Sequence, residues 1–188
     1  MLDDAANLWN MLADPAPAAE SPDARDPITA HIERTWQGVE KAAIAAMGAM
    51  PMRQRYPAVE QLCKSRFEVR VIKWRTSQSG CAWQVMYRDG TTANLIASPR
   101  PRGPISTGIF LHEIGHHAIG FKVFRPRCLE EYVAWQWSLD AMRRFNLNIT
   151  PKLHHRVDLS LRYAIAKAQR RGLKRMPAVL LPFMRPAV

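Results

Sequence analysis

Hydrophobic positions recur along this chain with two different periods, and the places where the period changes divide it. Asp26 and Pro27 sit as an N-cap and a first helical position, so the sequence predicts a helix from Pro27 to about Met50, where Met50-Pro51 stops it. From Phe67 the period becomes two. "FEVRVIKWR", "CAWQVMYR" and "TTANLIAS" read as three strands, separated by "TSQSG" and by the turn signal Asp89-Gly90. They predict a small antiparallel sheet. Pro99, Pro101 and Pro104 end it, and Ser106 or Thr107 can cap a following helix that Gly120 terminates. Two more helices follow, from about Pro126 to Phe145 and from Thr150-Pro151 to Gly172. The order of helix, sheet and further helices predicts an α+β domain, and no internal repeat points to a solenoid.

The segment before the first helix differs in kind. "ADPAPAAESPDARDP" has almost no large apolar residue, which marks residues 1–26 as a flexible acidic arm. That arm holds six acids and one base. The net charge of +11 is therefore +16 over the remaining 26 bases and 10 acids. Such a charge favours contact with nucleic acid, an acidic protein or an acidic membrane surface without naming one of them. No segment is a membrane span, and the acidic start is unlike a secretory signal, so a cytoplasmic chain is expected. Cys63, Cys81 and Cys128 are widely spaced and odd in number, which gives neither a metal clip nor a disulfide framework and predicts buried free thiols.

The helix after the prolines carries "LHEIGHHAIG". Residues four apart on a helix leave the same face one turn apart, so His112 and His116 of the HExxH pattern can share a zinc ion. Glu113, about 100° round the helix from His112, is placed to take a proton from a zinc-bound water. Phe110, Leu111, Ile114 and Ala118 form an apolar back face that would pack the helix. His117 points away from His116 and reads as a packing or supporting residue. Gly115 lets another backbone or a substrate come close.

A catalytic zinc site needs a third protein ligand and an open position. On the helix containing "CLEEYVAWQWSLDAM", the residues Ala134, Trp135, Trp137, Ala141, Met142 and Phe145 share one side. Glu131 projects about 40° from the centre of that apolar side and Glu130 about 60°. A carboxylate facing a core must be paired or metal-bound. This favours Glu131 as third ligand, with Glu130 as the alternative or as a hydrogen-bond partner behind a ligand histidine.

HExxH with a glutamate on a following helix resembles the gluzincin class of zinc metallopeptidases. "HEIGHHAIG" followed by "EEYVAWQWS" is similar, over roughly residues 67–145, to the small intracellular ImmA/IrrE-type proteins of phages and mobile elements, with Trp135 where that family usually has Asn. The resemblance implies a zincin-like domain over residues 27–188, a Zn2+ cofactor and hydrolysis of peptide bonds in a protein or peptide substrate. It also implies an edge strand lining the cleft, for which "TTANLIAS" is the natural candidate. Tyr132, Tyr163 and His154 are candidate oxyanion donors, while His155 falls on the polar side of its helix. The basic helical part, about residues 146–188, can contact nucleic acid: from Arg143 onward there are eleven bases against Asp158 alone. The competing reading is a non-catalytic zinc-containing module that binds nucleic acid or protein.

Overall fold

The computed structural model describes residues 26–39 and 41–184. The acidic arm expected over residues 1–26 lies outside them except for Asp26. Asp26 caps helix α1 (Pro27–Thr35), its carboxylate accepting from the Thr29 backbone N–H at 3.2 Å. The single helix expected to about Met50 is two, α1 and α2 (Lys41–Ala49), followed by α3 (Met52–Arg66). The break falls at Trp36. Its indole turns into the core and stacks on Trp137 at 4.9 Å and 6°, while Nε1 donates to Asp140 Oδ2 at 2.8 Å. Gly38, at φ +81°, then takes the chain out of the helical path.

Strands β1 (Val69–Arg75), β2 (Cys81–Met86) and β3 (Thr92–Pro99) form one sheet in the order β1-β3-β2. The sheet is mixed, not antiparallel as expected. β2 and β3 pair as an antiparallel hairpin, from Cys81 opposite Ala97 to Met86 opposite Thr92, whereas β1 runs parallel to β3, from Val69 beside Asn94 to Arg75 beside Pro99. Burial explains the order. β3 is buried continuously from Leu95 to Pro99, as a central strand covered on both faces must be, while β1 and β2 keep exposed positions. "TTANLIAS" is therefore the middle of the sheet, and the edge beside the cleft belongs to β2.

Helix α4 (Pro104–Ile119) lies between the sheet and α5 (Arg127–Arg144). Its cap position is Gly103, earlier than Ser106 or Thr107. Ser106 serves inside the first turn instead, its hydroxyl accepting from the backbone N–H groups of Arg102 at 3.1 Å and Gly103 at 3.2 Å. From Thr107 to His116 every residue of α4 is buried, so this is the core helix of the domain. Gly120, at φ +84°, ends it. Helix α6 (Pro151–Arg170) packs through a stripe of Leu153, Val157, Leu161 and Ile165, and a 3-10 helix at Ala178–Met184 closes over its end. No helix among the described residues is long and apolar enough to cross a membrane.

Gly115 is where α4 and α5 touch backbone to backbone. A Cβ there would stand 2.9 Å from the Ala134 carbonyl oxygen and 3.3 Å from Trp137 Cε3. Gly115→Ala is expected to lower stability by about 1–3 kcal/mol through overpacking, more than the ~1 kcal/mol that alanine gains in helix propensity. Thermal unfolding should show a melting temperature several degrees lower; an unchanged or raised value would contradict the close approach.

Candidate metal centre

The two histidines leave α4 one turn apart, and both are buried, His112 at 6% and His116 at 2% exposure. Helix α5 brings Glu131 to them. Its Oε2 lies 3.2 Å from His112 Nε2 and 3.6 Å from His116 Nε2, and the three donor atoms fall within 4.8 Å of one another. Zinc takes such nitrogens and oxygens at about 2.0–2.2 Å, which puts neighbouring ligands of a tetrahedral site about 3.4 Å apart. The separations to Glu131 bracket that value, and two imidazoles with one carboxylate are a zinc donor set. The residues fit the ion.

Glu131 divides its carboxylate between two tasks. Oε2 faces the histidines, while Oε1 accepts from Arg127 Nε at 3.0 Å and lies 2.9 Å from Nη2. Glu130 stands behind His116. Its Oε1 is 3.2 Å from His116 Nδ1, a close ion pair whose angle falls short of an aligned hydrogen bond, and accepts from Arg127 Nη1 at 2.6 Å. Its Oε2 accepts from the Lys122 backbone N–H at 2.9 Å. Trp135 supports the other histidine, stacking on the His112 ring at 4.2 Å and 17°.

Charges in this site follow from burial and contact. Burial pushes His112 down to about 4. It opposes the charged form of His116 too, but Glu130 and Glu131 overcome that and raise His116 to about 9. Burial likewise opposes ionisation of Glu131, yet its contacts with both histidines hold it well below the usual carboxylate range; Glu130 is lowered against burial by His116 and the Lys122 N–H. Without a metal, the His116 proton and Arg127 balance the buried Glu130 and the half-buried Glu131 carboxylates. The pocket is built around positive charge.

Glu113 lies beside this group, buried and raised to about 7 by loss of solvent. Its carboxylate occupies the space next to Gly80, where an added Cβ would sit 2.2 Å from Oε1. A side chain at position 80 would displace it. The centre opens into a cleft of about 850 Å³, with Gly80–Ala82 at the head of β2 on one side and α6 on the other.

The remaining candidates separate. Tyr163 lines the cleft from α6 and is 64% exposed. Tyr132 does not line it; its ring packs edge-on against Phe183 at 6.1 Å, because one residue beyond Glu131 on a helix points about 100° away. His154 and His155 are exposed on α6 outside the cleft lining. His117 pairs through Nε2 with the Leu95 carbonyl at 3.2 Å, tying α4 to β3. Arg127 and Trp135 have site roles that the sequence reading missed, although a base three and four residues before two glutamates on one helix is a visible pairing signal.

Glu130→Gln keeps all three donor atoms but removes the charge behind His116. It should weaken zinc binding about 10- to 100-fold, read by competition with a chelator, while saturation still reaches the wild-type stoichiometry. Unchanged affinity would remove Glu130 from the centre. The chain matches no protein-family model, no curated protein and no solved structure, so the meaning of this site rests on the chemistry of its donors.

Proposed function

We propose that this chain is a zinc-dependent peptidase of the gluzincin type, acting in the cytoplasm on a protein or peptide, with the ImmA/IrrE-type proteins as the group it resembles. One observation carries the reading. His112 Nε2, His116 Nε2 and Glu131 Oε2 converge at the floor of an open cleft with a fourth side chain, the Glu113 carboxylate, beside them.

A zinc ion held by those three residues would acidify a water to a pKa near 7 and polarise the scissile carbonyl. Glu113 is the general base: it takes the proton from the attacking water and returns it to the leaving amine. Arg127 and Glu130 keep Glu131 and His116 aimed inward, and the Trp135 ring fixes the His112 plane. The outer edge of β2 offers backbone groups to an extended substrate. Tyr163 is the candidate on the cleft wall for stabilising the oxyanion.

Glu113→Gln separates catalysis from metal binding. The variant should hold as much zinc as the wild type and lose about 100- to 10,000-fold in cleavage of a mixed peptide pool, read by mass spectrometry. Equal cleavage by both proteins would contradict the peptidase reading; the absence of cleavage by either would favour a non-catalytic module. Removing zinc with a chelator should likewise stop cleavage, and adding zinc back should restore it.

A further inference from the structure

The far wall of the cleft has its own pattern. Arg156, Ser160, Tyr163, Lys167 and Arg171 line it from α6 and its C-cap, at spacings of three or four residues that place them along one face. This face is separate from the buried stripe of Leu153, Val157, Leu161 and Ile165.

Its charge is of one sign. The guanidinium of Arg156 donates to neutral partners, Ser160 Oγ and the Gln78 carbonyl at 3.0 Å. Lys167 Nζ stands 5.9 Å over the Tyr163 ring. Among the described residues no carboxylate pairs with Arg156, Lys167 or Arg171. The acid of this helix, Asp158, pairs instead with Arg162, which does not line the cleft.

Position along the helix sets a length. Arg156 lies by the β1–β2 loop, whereas Lys167 and Arg171 lie toward the start of α5, where Ala168 and Leu173 pack with Cys128. At about 1.5 Å of rise per residue, roughly 16 Å separates Arg156 from Lys167, the reach of about five residues of extended chain. Leu153 packs on Gly108 of α4 and Ile165 clusters with Cys128 of α5, so His112 and Glu131, one turn further along each helix, stand level with this interval.

We propose that the cleft receives an extended acidic peptide, with Asp or Glu side chains on both sides of the bond presented to the metal centre, one held by Arg156 and another by Lys167 and Arg171. This rests on the peptidase reading for what happens to the bond, but the recognition stands on the α6 wall alone. A peptide fits better than a nucleic acid. Among the described residues nothing pairs with the outer edge of β2 on the opposite wall, which matches a peptide backbone, and the cations are interleaved with Leu159 and Ala164, which offer apolar contact; a single aromatic ring, Tyr163, lines the α6 wall and already has Lys167 Nζ over it, where a run of bases would need several open rings.

The test uses the full zinc-loaded chain and three labelled probes: a peptide of about ten residues with Asp or Glu at alternate positions, its Asn/Gln counterpart, and single-stranded DNA of similar length. Binding is read by anisotropy on the Glu113→Gln protein. The acidic peptide should bind about 10-fold or more tightly than its amide counterpart at low salt, with the advantage shrinking as salt rises. R156Q/K167Q/R171Q should erase the preference. K167Q/R171Q, which changes only exposed side chains, should remove most of it, and R53Q on α3, outside the cleft, should not change it. Equal binding of the two peptides, or a preference that survives the triple variant, overturns the proposal. So does DNA that binds more tightly than the acidic peptide and weakens in the triple variant, which would assign the wall to phosphates. Cleavage by the wild type is scored apart. A binding preference without cleavage supports acidic-peptide recognition while removing the peptidase reading, and cleavage of both peptides without preference does the reverse.

Discussion

Two carboxylates pressed between neighbouring helices against two imidazoles are the constraint around which this domain is organised. An unpaired buried carboxylate costs several kcal/mol, so Glu130 is tolerable only because cationic partners reach it, and the half-buried Glu131 shares them. Arg127 forks onto both, and His116 lies between them. This requires α4 and α5 to run close enough for side chains to meet, which the absent Cβ of Gly115 permits. The aromatic cluster of Trp36, Phe67, Trp137 and Phe145 ties α5 to the C-terminal ends of α1 and α3. A divalent ion in place of the His116 proton would sit where the fold already requires positive charge.

The rest of the domain turns that centre into a cleft. β3 is held behind α4 by its own burial and by the His117 contact, which leaves β2 as the outer strand beside the metal donors. Gly80, at the entrance to β2, makes room for the Glu113 carboxylate. Across the gap, α6 uses one stripe to join the core and a second to face the cleft, so a single amphipathic helix both packs the domain and charges the wall of its site.

Much of this was legible in the sequence. The HExxH spacing and the wheel through Glu131 depend only on helical geometry, and that geometry survives folding when a helix is as long and continuous as α4 or α5. Sheet order is different, because strand periodicity says which faces are buried but not which strands are neighbours. Only the short apolar run Leu95-Ile96-Ala97 hinted that β3 is central, and the resemblance drew attention to its nearness to α4 instead. The break at Trp36 was hidden because an aromatic residue fits a helical pattern until it finds Trp137 across the core. Helical geometry alone separates Tyr132 from the site: the rotation that aims Glu131 at the histidines carries the next residue about 100° away.

Metal content of the purified chain bears most directly on the shared grip of His112, His116 and Glu131. About one zinc ion per chain is predicted in the wild type, with loss of stoichiometric zinc in each of His112→Ala, His116→Ala and Glu131→Ala while the helical content is retained. Stoichiometric zinc persisting in His116→Ala, or a wild-type chain that takes up none, would contradict it.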